Sequence, residues 1–266
     1  MQAAPGTLGV LDPASFAALV LVSSRVGGLV LVAPVFSAKT VPVRVRTMLV
    51  ILLSLLLRPA VLGAAPAEGL AVTPVAVLGE VMAGLAIGLG AAVFVGAAEL
   101  AGDLAAIHAG LSGAALLDPL NRTSIPALGQ LTQLLAVAVL LATDGHLLML
   151  RALGESLTAL PPGSPMDLRG GAGAMVGLGS GLFAAGLRFA GPVVAAVLVA
   201  NTALALLGRA APQLNVLSVA FPVQIAVGLF ALAAALPFLA PAFSAWGDGY
   251  AEMLGTVFAA LSGGGR

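Results

Sequence analysis

Six long apolar tracts, at residues 14–36, 47–62, 72–98, 125–150, 172–207 and 216–240, take up most of this chain. Short segments rich in proline, glycine and charge separate them, the punctuation that ends an apolar helix. A membrane span needs about 20 residues to cross about 30 Å of hydrocarbon. Against that measure the second tract is short and the fifth is overlong. As a straight helix the fifth would reach about 54 Å at about 1.5 Å per residue, so it is expected to tilt, leave the bilayer or break. The Gly191 and Pro192 pair supplies a place to break. With 60% of residues hydrophobic and 8% charged, 266 residues offer too little polar surface to cover a soluble globule. The reading is an all-α, polytopic membrane-associated protein. No connector is long enough for a second domain, so residues 1–266 read as a single domain.

Charges stand where lipid would penalise them. Arg25, Glu80, Asp144 and Arg188 lie inside the first, third, fourth and fifth tracts. A charge at mid-depth costs about 2.5 to 3.5 kcal/mol on insertion scales, so each needs a partner or water. Two readings stand. In one, Glu80 or Asp144 is an ion or proton site on a transport pathway. In the other, these helices face protein rather than lipid, and arginine pairs with acid within or between subunits. Glycine spacing favours close packing: Gly84 and Gly88 are four apart, as are Gly173, Gly177 and Gly181, and such faces let backbones approach. With 34 glycines in the chain, chance spacing accounts for these patterns equally well.

Much chemistry is set aside by residue type. There is no cysteine, which removes disulfides, thiolate metal sites and cysteine nucleophiles. His108 and His146 alone are too few for a histidine metal centre, so neither metal nor cofactor is expected. Residues 143–146, TDGH, bring an acid beside an imidazole, but no serine or second carboxylate stands at motif spacing. A turn is the simpler role. No phosphate-binding loop is present, so energy from ATP would come from another protein, and no enzymatic activity is expected. Eleven basic and eleven acidic residues cancel without a run of like charge, which leaves no footprint for nucleic acid. The opening MQAAPGTLGVLD lacks a basic segment, so a cleaved signal peptide is not expected. Lys39, Arg44 and Arg46 place the first connector in the cytoplasm by the positive-inside rule. Elsewhere Arg58 is set against Glu68, and Arg151 and Arg169 against Glu155 and Asp167.

Four segments together carry a family resemblance. RVGGLVLVAPVF followed by VPVRVR, within residues 25–46, resembles the opening of the FliR family, which belongs to the flagellar type III export apparatus and has a counterpart in injectisomes. The likeness continues in GLSGAALLDPLNRTSIPALGQLTQLLAVAVLLATDGHLLMLRAL at 110–153 and in LPPG at 160–163. It resumes in RFAGPVVAAVLVANTALALLGRAAPQLNVLSVAFPVQIAVGL at 188–229. The pieces stand in family order and spacing over most of the chain, and the PVF and DP context leans flagellar.

The resemblance implies one FliR-like subunit joined to several FliP-like and FliQ-like subunits in a right-handed helical export gate. FlhA-like and FlhB-like components accompany it, in the basal body at the bacterial inner membrane. The subunit itself would resemble a FliP-like part fused to a FliQ-like part, wrapped around a pore for unfolded exported proteins. Arg25, Glu80 and Arg188 would then be surrounded by protein. The resemblance also implies a pore-closing loop at 110–126, carried by Gly110, Leu111, Ser112, Asp118 and Pro119. The chain departs from the pattern at Gly113 and Leu116, where relatives often have aromatics, which leaves Leu116 and Leu117 as an apolar constriction. From the residues alone, Asp118 and Pro119 end a helix and Asn121, Thr123, Ser124 and Pro126 favour turns, so an ordinary connector also fits. Two rivals stand beside the gate. One is a small-solute or ion transporter using Glu80 and Asp144, for which no internal repeat is evident. The other is a polytopic membrane enzyme, for which only isolated candidates exist.

Overall fold

The computed structural model describes residues 13–38, 40–63, 70–109, 127–211, 216–235, 237 and 239–264. Among them are eight helices and no strand: α1 Pro13–Val32, α2 Val43–Gly63, α3 Pro74–His108, α4 Ala127–Ala142, α5 Gly145–Ala159, α6 Leu168–Ala210, α7 Val216–Ala235 and α8 Leu239–Leu261. Four of these, α1, α2, α3 and α6, are long and apolar enough to cross a bilayer. Local chemistry sets several boundaries. Pro13 and Pro74 open their helices, where a missing N–H costs nothing. Thr73 caps α3, its hydroxyl accepting from the Ala76 amide at 3.1 Å. The Asp167 carboxylate accepts from the amides of Arg169 and Gly170 at the start of α6, at 3.0 and 3.1 Å. Pro161 and Pro162 forbid any extension of α5.

The turn read at residues 143–146 is present, and two other expectations need correction. The turn divides the fourth tract into two helices at Asp144, which adopts a left-handed backbone (φ 57°) while its carbonyl accepts from the amides of Leu147 and Leu148. Aspartate tolerates that conformation better than the branched residues around it. The fifth tract does not break at Gly191 and Pro192: α6 runs 43 residues straight through the proline. Proline forfeits one backbone bond, whereas ending the helix in apolar surroundings would strand several more groups. The second tract gains its first turn from Val43 and so reaches 21 residues, long enough to span. Beyond the last apolar tract, which ends at residue 240, α8 runs on to Leu261.

The helices fall into two compact units, one of residues 1–92, 144–178 and 248–266, the other of residues 93–143 and 179–247. In the first, α1 is the central element, with Ala18, Leu21, Val22, Val26 and Leu29 fully buried. It crosses the first part of α3 at glycines. A Cβ on Gly28 would meet the Val81 carbonyl, one on Gly84 the Arg25 carbonyl, and one on Gly88 would lie 2.9 Å from the Leu29 carbonyl. The end of α8 docks on the same stretch of α3: the Tyr250 hydroxyl donates to the Ile87 carbonyl at 2.7 Å, and Gly90 leaves room for its ring. Val257 and Leu261 complete a cluster with Ala83, Ala86 and Leu160.

In the second unit, Ala105, Ala106, Leu128 and Val193 form the core, flanked by Ala231 and Leu232. Here too the helices meet at glycines: a Cβ on Gly102 would lie 2.7 Å from the Leu128 carbonyl, and one on Gly129 would collide with the Asp103 carboxylate. Gln133 donates to Glu99 at 2.8 Å across the same pair of helices. Phe94 packs edge-on to Phe189 and against Trp246, at centroid distances of 6.3 and 5.5 Å.

Candidate functional site

Arg25 and Glu80 are completely buried, and they find each other. The Arg25 Nε donates to Glu80 Oε2 at 2.6 Å. The rest of the guanidinium is spent on the end of α5: Nη1 donates to the Ser156 carbonyl at 2.7 Å and its hydroxyl at 3.0 Å, and Nη2 donates to the Leu160 carbonyl at 2.8 Å. Ser156 in turn donates its hydroxyl proton to the Leu153 carbonyl at 2.7 Å. The Ser156 carbonyl also accepts from the Leu160 amide at 2.9 Å, and the Leu160 carbonyl stands just past the last helical residue; carbonyls at a helix C-terminus carry partial negative charge, so a cation is favoured there. Glu80 uses its second oxygen as well: Oε1 accepts from the Gly163 amide at 3.1 Å. Gly163 has φ 79°, a left-handed backbone that favours glycine.

One side chain from α1 and one from α3 therefore hold the end of α5 and the LPPG turn after it. The physics explains why the four elements appear together. Taking an isolated arginine or carboxylate out of water costs several kcal/mol per ion, and mutual attraction offsets this only when the remaining donors and acceptors are also engaged. Here they are: the guanidinium makes four hydrogen bonds and each carboxylate oxygen has a donor. The arrangement clamps elements. Both carboxylate oxygens of Glu80 are engaged within the chain.

The other residues singled out from sequence are placed differently. Asp144 is exposed at the break between α4 and α5, and Arg188 is exposed on α6; neither is buried within the chain, because the break frees Asp144 from the helix interior and Arg188 points off the packed face of α6. Gly84 and Gly88 lie on the α1–α3 crossing, whereas a Cβ at Gly173, Gly177 or Gly181 would meet nothing within 4 Å. The loop residues Gly110, Leu111, Ser112, Gly113, Leu116, Leu117, Asp118 and Pro119 lie outside the described residues. Three participants escaped the sequence reading. Ser156 gives no local signal. Gly28, within RVGG, lies in a different tract from Gly84, and nothing in the spacing joins the two. Tyr250, the only tyrosine, lay beyond the last tract considered.

The family model for bacterial export proteins, family 1, matches residues 16–248. The flagellar biosynthetic protein FliR of Escherichia coli (strain K12) is 31% identical over 221 residues, covering 82% of this chain and 83% of that protein. FliR of Caulobacter vibrioides is 31% identical over 237 residues, covering 88% and 93%. FliR of Pectobacterium carotovorum is 30% identical over 218 residues, covering 82% and 83%. The matched span takes in Arg25, Glu80, Ser156 and Gly163, so the clamp lies within the region held in common. The chain belongs to the FliR family of bacterial export proteins.

Proposed function

We propose that this chain is a non-enzymatic wall element of a protein-conducting export gate. It acts as one subunit over residues 1–266, assembled with FliP-like and FliQ-like subunits and accompanied by FlhA-like and FlhB-like components. The setting is the flagellar basal body in the bacterial inner membrane, and the cargo is unfolded protein. A role in flagellar biosynthesis and protein export follows from the family. Residues 110–126 would close the idle pore, with Leu116 and Leu117 at the constriction and Gly110, Gly113, Ala114 and Ala115 giving a lining that a moving chain does not stick to.

One observation favours this over a transporter: Glu80, one of two acids on which an ion path would depend, has both oxygens engaged by Arg25 and Gly163. The other, Asp144, is exposed at a helix break. The long apolar helices also fit a subunit in a larger wall, since only 11% of the α2 span is buried against the chain itself. The test is co-purification of the tagged full-length chain with FliP-like and FliQ-like proteins from the same cell. Recovery as a lone monomer or homodimer that exports nothing would count against the gate. A Glu80→Gln chain that assembles normally yet loses flux of a small ion would favour the transporter instead.

A further inference from the structure

A cleft of about 190 Å³ opens between α5 and the end of α8, inside the first unit. Its walls are apolar, formed by Ala152, Leu254, Phe258 and the ring of Tyr250, whose hydroxyl is taken up by the Ile87 carbonyl. Two charges, Arg151 and Glu155, also line it. Both residues are exposed and stand one helical turn apart on α5. Among the described residues, neither charged group has an ion-pair or hydrogen-bond partner. Arginine four residues before glutamate is the weaker order for a helical pair, which leaves both charges available to something else.

An apolar cleft with one positive and one negative group at its edge, in a chain of membrane helices, matches an amphiphile that carries both charges on its head. We propose that this cleft binds a phospholipid with an ethanolamine headgroup. Arg151 takes the phosphate through parallel N–H donors, Glu155 takes the ammonium, and part of an acyl chain packs against Leu254 and Phe258. The same pair of charges selects among headgroups. A glycerol headgroup offers Glu155 no cation and brings net negative charge toward it. A choline nitrogen is fully methylated and cannot donate a hydrogen bond to the carboxylate.

Native mass spectrometry of the full-length chain, purified with whatever subunits accompany it and mixed with equal amounts of phosphatidylethanolamine, phosphatidylcholine and phosphatidylglycerol, tests this directly. Retention of the ethanolamine lipid is expected to exceed either competitor by about threefold, the scale of one exposed charge contact. Glu155→Gln is expected to abolish the preference over choline lipid, and Ala251→Phe, which fills the cleft from an exposed position, to lower all three. Equal retention of the three lipids overturns the proposal. So does a preference that survives the combined Arg151→Gln and Glu155→Gln changes, or cross-linking that places a protein partner's charges on Arg151 and Glu155.

Discussion

Arg25 illustrates how a single charge in an apolar helix is made tolerable. Insertion scales assign such a residue a penalty, yet every polar atom around it has been supplied from elsewhere in the same chain: a carboxylate from 55 positions away and helix-terminal carbonyls from 131 and 135 positions away. Removing one partner leaves the other ion buried and uncompensated, so Arg25→Met is expected to destabilise the chain by about 3 to 5 kcal/mol. Replacing both members with apolar residues of similar size, Arg25→Met with Glu80→Leu, is expected to recover part of that loss. Thermal unfolding of the detergent-solubilised single and double variants decides the matter, and a double variant no better than the worse single one would contradict the clamp. Gly163 sits at the far end of the same network. With φ 79°, Gly163→Ala should lower stability by about 1 to 2 kcal/mol through backbone strain alone, since Leu21 and Leu70 stand no nearer than 3.5 Å to the added methyl.

Between helices the decisive residue type is glycine, and its spacing alone did not say which glycines mattered. Two runs of the same interval were equally visible, one through Gly84 and Gly88, the other through Gly173, Gly177 and Gly181. The first lies against the backbone of α1, while a side chain at the second would meet nothing within 4 Å. Gly84→Ala is therefore expected to push α1 and α3 apart and cost about 1 to 3 kcal/mol. Gly173→Ala is expected to stay within about 0.5 kcal/mol of the parent. Melting curves of the two variants side by side give the comparison, and equal losses would mean that the α1–α3 crossing is not the tight contact described. The break at Asp144 has a matching signature. Asp144→Gly should be tolerated, and Asp144→Val should cost about 1 to 2 kcal/mol because a branched side chain resists the left-handed backbone.

On the scale of the whole molecule, the same chain shields Arg25 and Glu80 and leaves long apolar helices bare. The α3 span is 61% buried against its own chain, but that of α2 only 11% and that of α6 only 22%. The proposed wall subunit would have that profile, with α2 and α6 open to lipid or neighbouring subunits. If residues 110–126 close the pore, Gly113→Asp or Leu116→Asp should make the idle gate conduct ions in a reconstituted complex, and unchanged conductance would remove the loop from that role. By itself the sequence determined the class: continuous apolar tracts of about 20 residues or more must satisfy their backbone within helices, because lipid offers no hydrogen bonds and a barrel strand takes only about 10 residues. Its ordered motifs also pointed to the FliR family. Only the tertiary structure decided that Arg25 meets Glu80, that LPPG closes over them and that Pro192 does not break its helix. Each of those outcomes depends on segments brought together from distant parts of the chain, or on neighbours that stabilise a helix through an unfavourable residue. Local periodicity contains neither.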